Sequence, residues 1–233
     1  MKQAFVTGGN KGLGFEIAKQ LGQQGWQIII GSRDAKRGQA AVDQLSDAGL
    51  TDPQYVVLDL SDSQTIQAAA KTITAKDADL QLLVNNAGIP GDMRTPGIES
   101  SMKDLQDTMQ VNFFGTFELT QALFPLLKQN HGQIANITIP TTPNKLFNPF
   151  TYQTSKGAQN IMTSSLAMSF KTDGTPVEIY SVHPGPVSTD LNGNLQADFM
   201  QTAEEAATGV VRLITSDEPK QGAFLEVKPA IGN

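Results

Sequence analysis

The chain has 233 residues and no cysteine, which excludes disulfide bonds and thiolate metal sites. A net charge of −6 argues against general nucleic-acid binding, and a composition of 39% hydrophobic and 17% charged residues is typical of a soluble globular protein. The longest apolar runs are far shorter than the ~20 residues of a membrane span. We therefore expect no nucleic-acid partner and no membrane partner.

Nothing in the sequence divides the chain into parts. It contains no Pro/Ser-rich linker, charge block or internal repeat, so we expect a single domain over residues 1–233. A short apolar run begins almost at Met1, which leaves no room for a signal peptide. This start and the missing cysteines predict a cytoplasmic protein.

The first motif is a glycine-rich turn between a short apolar strand and a helical apolar pattern. Its glycines, Gly8, Gly12 and Gly14, follow the spacing Gly-x3-Gly-x-Gly, which differs from the standard dinucleotide fingerprint. A P-loop is excluded because Phe15 and Glu16 follow the last glycine. Since the N-terminus of a helix attracts anions, the turn predicts either a phosphate site or an ordinary turn between strand and helix.

The second apolar run, residues 26–31, ends where dinucleotide-binding folds recognise the adenosine ribose. An acidic residue there binds the 2′-hydroxyl of NAD(H), whereas basic residues accept the 2′-phosphate of NADP(H). The basic residues favour NADP(H), although Asp34 leaves NAD(H) open. The basic residues are Lys11, Arg33 and Arg37, and Ser32 lies beside Arg33 at the end of the apolar run.

Strand-like and helical patterns alternate along the whole chain. Apolar runs predict strands at residues 4–6, 26–31, 54–58, 80–84, 133–139, 177–182 and 223–227. Helical spacing predicts helices that begin near Gly14 and that cover about 36–48, 63–75, 103–128, 152–171 and 203–215. The alternation predicts an α/β fold of the Rossmann type, a doubly wound, seven-stranded parallel sheet with helices on both faces.

Three polar motifs follow in the second half of the chain. The sequence Asn-Asn-Ala-Gly at residues 85–88 suits backbone that passes beside a flat ligand, although Asn-Asn is also a common turn. Asn112 lies among large apolar residues of a predicted helix, where its amide serves either the helix or catalysis. Tyr152 and Lys156 are four residues apart, so they share one helix face, and a nearby positive charge makes a phenol a useful acid.

The sixth predicted strand leads into residues 183–190, a loop that two prolines and a glycine make rigid. Ligands of open α/β sheets bind at such strand ends. His131 and His183 are far apart in the sequence, and neither has an acidic motif beside it, so we expect no metal site.

In this order, the motifs resemble the short-chain dehydrogenase/reductase family over nearly the whole chain. The matching residues are Thr7 to Gly14, Asp59, Asn85 to Gly88, Asn112, Tyr152 with Lys156, and Pro184 to Thr189. Residues 8–12, 33–42 and 112–116 are most similar to the carbonyl reductase branch, which uses NADPH. The resemblance implies an NADP(H)-dependent oxidoreductase that reduces an aldehyde or ketone to an alcohol.

The resemblance also implies a role for each matching residue. It makes Tyr152 the general acid that protonates the carbonyl oxygen as hydride arrives from the nicotinamide. Lys156 is expected to lower the Tyr152 pKa and to hydrogen-bond the nicotinamide ribose, while Asn112 holds a water in a proton relay. Asp59 is expected to contact the adenine, and Asn86 the adenosine ribose. The expected cofactor-binding residues are Gly8, Asn10, Lys11, Gly12, Leu13, Gly14, Ser32, Arg33, Asp59, Leu60, Asn86, Ala87, Gly88, Tyr152, Lys156, Pro184, Gly185, Val187 and Thr189.

One residue of the family pattern is missing. Alignment of residues 132–137 and Tyr152 without gaps places Ile139 where the family carries a catalytic serine. An isoleucine cannot donate the hydrogen bond that orients the substrate carbonyl, and loss of such a donor lowers rates by ~10²–10³. Either a nearby group replaces the missing hydrogen-bond donor, or the protein is a poor catalyst.

Three threonines are candidates to replace that serine. Thr141 has the strand parity of position 139 and is the first choice, before Thr142 and then Thr138, which should point to the other face of a regular strand. The alternative is a non-catalytic or weakly catalytic NADP(H)-binding sensor or partner protein. The retained Tyr, Lys and Asn favour the enzyme.

The substrate and the assembly are predicted from loops and helix faces. Residues 89–100, 141–150 and 186–200 should form the substrate pocket, and the residues Leu146, Phe147 and Phe150 predict an apolar carbonyl substrate. The carbonyl reductase branch often carries an insertion before its catalytic Tyr that blocks helix pairing, and this chain has no room for one. The helices over 103–128 and 152–171 are then free to pair, which predicts a homodimer or homotetramer.

Overall fold

The computed structural model describes residues 2–75, 79–143 and 147–228, and in these ranges seven strands alternate with helices. The strands are β1 Gln3–Thr7, β2 Gln27–Ser32, β3 Gln54–Val57, β4 Leu80–Asn85, β5 Gln133–Ile137, β6 Glu178–His183 and β7 Phe224–Glu226. The α-helices are α1 Gly12–Gln23, α2 Ala35–Asp47, α3 Ser63–Thr74, α4 Met102–Met109, α5 Thr116–Gln129, α6 Phe150–Asp173 and α7 Ala203–Thr215.

All seven strands are parallel and lie in the order β3-β2-β1-β4-β5-β6-β7, which confirms the predicted doubly wound sheet. β1 pairs with β2 on one side and with β4 on the other. The connections that leave these strands therefore run in opposite directions. A crevice opens between them at the carboxyl ends of the strands, which is where ligands of such sheets bind.

Apolar side chains cover both faces of the sheet. One core cluster joins the sheet to α1, α2 and α7, and the other joins it to α3, α5 and α6. Ile28 and Ile30 belong to the first cluster, whereas Ile29 belongs to the second, because successive strand side chains point to opposite faces. Burial on both faces explains why the strands read as continuous apolar runs.

The predicted helix over residues 103–128 is present as one helical run, but it is not α-helical throughout. The structure has α4, then a π-helical turn over Gln110–Gly115, then α5. Gly115 allows this turn to pack closely, because a Cβ at that position would overlap the Leu60 carbonyl group. A π turn inserts one residue into a helix without altering its apolar composition, so the sequence pattern does not reveal it.

Smaller differences occur at the ends of β5 and α6. β5 ends at Ile137, two residues before the predicted end, although the Thr138 N–H still donates to the Val182 carbonyl at 2.9 Å. Pro140 lacks an N–H and cannot continue the ladder. α6 begins at Phe150 rather than at Tyr152.

Leu146, which was expected in the substrate pocket, lies outside the described residues. Among the residues that the structure describes, no helix is both long and apolar enough to cross a membrane.

Candidate functional site

The expected site residues lie along the carboxyl edge of the sheet in two groups. The phosphate end comprises the glycine turn at residues 8–14, residues 32–37 at the end of β2 and beyond it, and Thr189 with Asp190. The tyrosine end comprises Asn112, residues 138–141 and α6 residues 152–159. Since β4 lies between β1 and β5, the segment after β4 connects the two ends.

The glycine turn lets an anion approach the backbone closely. Gly8 and Gly12 have φ angles of +64° and +56°, a region that glycine tolerates best. A Cβ at Gly14 would overlap the Asn86 side-chain amide and lie 2.6 Å from the Gly8 carbonyl oxygen. Helix α1 starts after Lys11 without a side-chain cap and without an acidic residue in its first turn. Its free N–H groups therefore fit a phosphate, and Asn10 and Leu13 lie partly exposed beside them.

Asn86 joins the end of β4 to this turn. Its Nδ2 donates to the Thr7 carbonyl at 2.9 Å, and the Thr7 hydroxyl oxygen accepts from the N–H groups of Asn86 at 3.0 Å and Ala87 at 2.9 Å. A Cβ added at Gly8 would lie 3.2 Å from the Ala87 Cβ. The expected ribose residues are thus held against the phosphate turn.

Gly88 carries the same segment to the tyrosine end. A Cβ at this position would lie 3.0 Å from Asn112 Oδ1 and 3.8 Å from Lys156 Nζ. A side chain here would therefore fill the space between the two ends of the crevice.

The residues after β2 favour the 2′-phosphate. The Asp34 carboxylate caps α2 and accepts from the Arg37 N–H at 2.8 Å, while the Ser32 hydroxyl donates to the Asp34 carbonyl at 2.9 Å. Asp34 was the residue that left NAD(H) binding possible, but its carboxylate is already bonded to the N-terminus of α2. Arg33 and Arg37 are both exposed.

Asp59 follows β3 and faces this basic group. Its Oδ1 accepts from the Ser61 N–H at 2.8 Å and from the Ser61 hydroxyl at 2.6 Å. Burial acts to raise its pKa, but the hydrogen bonds from Ser61 and the charge of Arg33 outweigh burial and hold the pKa of Asp59 below its usual value. Leu60 is buried beside it. Asp59 is thus a fixed carboxylate where adenine contact was expected.

An ion pair crosses the crevice at the phosphate end. Lys11 Nζ lies 2.7 Å from Asp190 Oδ2, and the two side chains are 56% and 58% exposed. The hydrogen bond from Lys11 is the main cause of a lowered pKa of the Asp190 carboxyl, and Asn194 and Arg37 add to it. The Asp190 carboxylate would therefore compete with a bound phosphate for the Lys11 ammonium.

The loop after β6 is held by Gln201. Its Nε2 donates to the Pro184 carbonyl at 3.2 Å, and its backbone pairs with Pro186 at 2.9 Å and with Ser188 at 3.0 Å. Gly185 has a φ of +83°. The expected cofactor residues on this loop, Pro184, Gly185, Val187 and Thr189, are therefore placed by a residue outside the motif.

At the tyrosine end, Tyr152 and Lys156 lie on one face of α6, with Lys156 Nζ 5.9 Å from the centroid of the Tyr152 ring. Lys156 is only 3% exposed, and its Nζ donates to the Ile137 carbonyl at 2.8 Å and to Gln159 Oε1 at 3.0 Å. The Tyr152 hydroxyl forms no hydrogen bond with any described residue. Its proton can therefore meet a substrate oxygen.

Burial determines how both groups titrate. It raises the pKa of Tyr152 to about 12 and lowers the pKa of Lys156 to about 8. Tyr152 thus holds its proton at neutral pH, as an acid must, whereas Lys156 changes charge close to that range. Burial therefore raises the Tyr152 pKa, whereas Lys156 was expected to lower it.

Asn112 braces the loop after β4 against α6. The residue is 0% exposed, and its Nδ2 donates to the Ile89 carbonyl at 2.9 Å and to Ser155 Oγ at 3.0 Å. Its Oδ1 accepts from the Ile89 N–H at 2.8 Å, and the Ser155 hydroxyl donates onward to the Tyr152 carbonyl at 2.8 Å. Both amide hydrogens are used, so the relay role of Asn112 stays a prediction.

The segment around Ile139 runs beside α6, and its threonines have different surroundings. Thr141 is exposed and lies over Gly157, where an added Cβ would be 3.6 Å from Thr141 Cγ2. Thr142 is exposed as well. Thr138 is buried, and its hydroxyl has no partner among the described residues.

Apolar side chains are exposed on the segments expected to form the substrate pocket. The Phe147 ring meets the Tyr152 ring edge-on, with centroids 6.5 Å apart. The exposed large apolar residues of these segments are Ile98, Phe147, Phe150, Leu195 and Phe199.

Sequence reasoning assigned no role to several residues that hold the site together: Thr7, Ser155, Gln159, Asp190 and Gln201. Each acts through burial or through a contact with a residue distant in the sequence. Neither property can be recognised from the spacing of residues in the sequence. Gln159 alone carries a local signal, because a residue three positions after Lys156 lies on the same helix face.

Comparison with known proteins identifies relatives of this chain. A sequence model described as short chain dehydrogenase matches residues 2–199. Retinol dehydrogenase 12 of Mus musculus is 30% identical over 96% of this chain and 77% of its own length. Human carbonyl reductase [NADPH] 1 is 38% identical, but over 58% of this chain and 48% of its own length, so the chain spans about half of that relative.

The fold has close structural neighbours. A short chain dehydrogenase from Escherichia coli CFT073, crystallised in complex with NADPH, superposes with a TM-score of 0.87 at 26% identity, covering 98% of this chain and 97% of the other. The resemblance inferred from the motifs is thereby confirmed. The chain belongs to the short-chain dehydrogenase family of oxidoreductases.

Proposed function

We propose that this protein is an NADP(H)-dependent oxidoreductase that reduces an aldehyde or ketone to an alcohol. The observation that carries the proposal is the position of Tyr152, a proton-bearing phenol beside a buried lysine, on the same sheet edge as a glycine turn open to phosphate. The phosphate turn supplies binding, and the phenol supplies the proton that carbonyl reduction requires.

The choice of NADP(H) rests on charge. The Asp34 carboxylate caps α2, whereas Arg33 and Arg37 are exposed at the end of β2. The Escherichia coli neighbour was crystallised with NADPH, and the human relative is named for it. A Cβ added at Gly12 would lie 3.8 Å from Thr189 Cγ2, so Thr189 borders the glycine turn where a diphosphate would bind.

In the proposed mechanism the protein positions the carbonyl and delivers one proton. When bound, NADPH supplies the hydride. Tyr152 donates its proton to the carbonyl oxygen, and the charged form of Lys156 stabilises the phenolate that remains. Asn112 and Ser155 hold the backbone of Tyr152 in place. We assign the missing serine hydroxyl at Ile139 to a threonine, with Thr141 first, then Thr142 and Thr138.

The substrate and assembly are part of the proposal. Exposed Phe147 and Phe150 support an apolar carbonyl compound. Ile161 and Met168 are exposed on α6, and Phe114 is exposed in the π turn that precedes α5, which supports helix pairing in a homodimer or homotetramer. Light scattering that shows only a 24.9 kDa species would contradict this assembly. A single domain over residues 1–233 and a cytoplasmic location stay predictions.

The test follows NADPH absorbance with a panel of aldehydes, ketones and diketones. We expect wild type to oxidise NADPH with at least one apolar carbonyl compound, and Tyr152→Phe to lose ~10²–10⁴ of the rate while it keeps NADPH affinity in calorimetry. Calorimetry with NADH should give weaker binding than with NADPH. If neither nucleotide binds, the proposal fails.

The alternative is a binding protein that senses NADP(H) without turnover, and Ile139 is the observation that favours it. The variant Ile139→Ser separates the two functions. Activity in both wild type and variant supports the enzyme. Activity in the variant alone, with equal NADPH affinity in both proteins, supports the binding protein.

A further inference from the structure

Gln159 is a polar side chain enclosed in the interior beside the tyrosine end. It is 0% exposed and lies one helical turn after Lys156 on α6. Its Oε1 accepts a hydrogen bond from Lys156 Nζ at 3.0 Å. Its Nε2 has no partner within the described part of the chain.

Folding alone does not favour a glutamine at this position. A buried donor without a partner costs free energy, and an apolar side chain of similar length would avoid that cost. The opposite orientation of the amide would point its NH₂ group at an ammonium. Only the observed orientation pairs Gln159 with Lys156.

The surroundings of Lys156 make this contact important. The titratable group that faces its ammonium is Tyr152 on the same helix, whereas β5 contributes the uncharged Ile137 carbonyl and the segment after β4 contributes Gly88. Within the described ranges no carboxylate forms an ion pair with Lys156. Two neutral acceptors, the Ile137 carbonyl and Gln159 Oε1, therefore replace the water that a lysine normally has.

We propose that Gln159 is a positioning residue for Lys156, which holds the ammonium beside the Ile137 carbonyl, keeps it charged and leaves its third N–H for the site. The meaning of this contact for catalysis rests on the proposed function, whereas the contact itself does not. Hydrogen bonding to the charged form favours that form, so removal of the Gln159 oxygen should make Lys156 lose its proton more easily.

The direct test measures the pKa of Lys156 by NMR in protein labelled with ¹³C at lysine Cε. The Lys156 resonance is assigned by its absence in Lys156→Met. Gln159→Met removes the acceptor at nearly constant volume, and Gln159→Glu replaces it with a charged acceptor. We expect the Lys156 pKa to fall by about one unit in Gln159→Met and to rise in Gln159→Glu.

Thr163→Val is the matched control. Thr163 is a buried polar residue one turn further along α6, and it bonds to Asn136 and to the Gln159 carbonyl rather than to Lys156. Its removal should leave the Lys156 pKa in place. If Gln159→Met does not fold, as judged by circular dichroism, Gln159→Leu replaces it. An unchanged Lys156 pKa in the Met or Leu variant overturns the proposal, as does an equal shift in Thr163→Val.

A second readout is the pH profile of carbonyl reduction. Loss of the Lys156 proton should lower the rate on the alkaline side of the pH profile. In Gln159→Met this alkaline limb should move to lower pH, so that the rate at pH 8 falls about five-fold. In Gln159→Glu the limb should move to higher pH. A purely structural role would lower the rate at all pH values without moving the limb, and this result also overturns the proposal. If the Lys156 pKa moves as expected but no variant and no wild type reduces any carbonyl, the positioning role stands and the proposed function fails.

Discussion

The two ends of the crevice are built from different chemistry. At the phosphate end the backbone makes the site, through positive φ angles at Gly8 and Gly12 and the uncapped start of α1. At the tyrosine end side chains make it, because Asn112 and Gln159 place the groups around Tyr152 through buried hydrogen bonds. Lys11, Arg33 and Arg37 at the phosphate end are exposed, whereas Asn112, Tyr152, Lys156 and Gln159 at the tyrosine end are buried.

This difference predicts which substitutions should impair each end. A backbone site fails when a side chain enters space reserved for main-chain atoms, and it tolerates most other changes. A side-chain site fails when a donor or acceptor disappears, even if the volume stays the same. Each of the following predictions tests one side of this contrast.

The largest expected effect in this comparison comes from removing the Thr141 hydroxyl, which we propose replaces the family's serine. Thr141→Ala should lower the rate of carbonyl reduction by ~10²–10³ and leave NADPH affinity unchanged, because an oxygen-orienting donor acts on chemistry rather than on cofactor binding. Steady-state kinetics and calorimetry measure the two quantities. Thr138→Val is the comparison: normal activity in Thr141→Ala with loss in Thr138→Val would move the assignment to the buried hydroxyl.

The next effect is steric and belongs to the phosphate end. Gly14→Ala should weaken NADPH binding by roughly 100-fold and lower the free energy of unfolding by about 1–3 kcal/mol, because its Cβ would meet the Asn86 amide and the Gly8 carbonyl. Calorimetry and thermal unfolding measure both. Gly157→Ala is the matched control at the tyrosine end, since its Cβ meets nothing closer than 3.6 Å. Equal losses in the two variants would remove the contrast.

A smaller effect concerns pH and stability at the tyrosine end. The pKa of Lys156 is about 8 in the folded protein and near ~10.4 when unfolded, so between these values the unfolded chain binds more protons and wild type gains stability as pH rises. Lys156→Met lacks this gain. The stability of Lys156→Met relative to wild type should therefore fall by up to about 3 kcal/mol between pH 8 and pH 10.5. Urea unfolding of both proteins at both pH values measures this change. If the difference in stability between Lys156→Met and wild type is the same at pH 8 and pH 10.5, burial does not lower the Lys156 pKa.

The smallest effect tests the ion pair across the phosphate end. Asp190→Asn should strengthen NADPH binding about two- to five-fold, because Lys11 is released from a competing carboxylate and exposed pairs are weak. NADH binding should change less, since it lacks the 2′-phosphate. Added salt should reduce the difference between wild type and variant. Weaker NADPH binding in Asp190→Asn would show that the pair instead supports the cofactor.

Much of the fold followed from pattern alone. Alternating apolar runs and helical spacing predicted the seven strands and their parallel direction, because burial on both faces leaves few alternatives for such a sequence. The π turn at Gln110–Gly115 did not follow, because it packs Gly115 against the Leu60 carbonyl, and the spacing of apolar residues does not reveal such a contact with another part of the chain.

The sequence by itself determined the family, the phosphate turn and the Tyr152–Lys156 pair, because short spacings on one strand turn or one helix face fix these groups locally. Only the tertiary structure decided that Asp190 meets Lys11 and that Lys156 and Gln159 are enclosed in the interior. Such contacts depend on which segments burial brings together, and burial is a property of the whole fold.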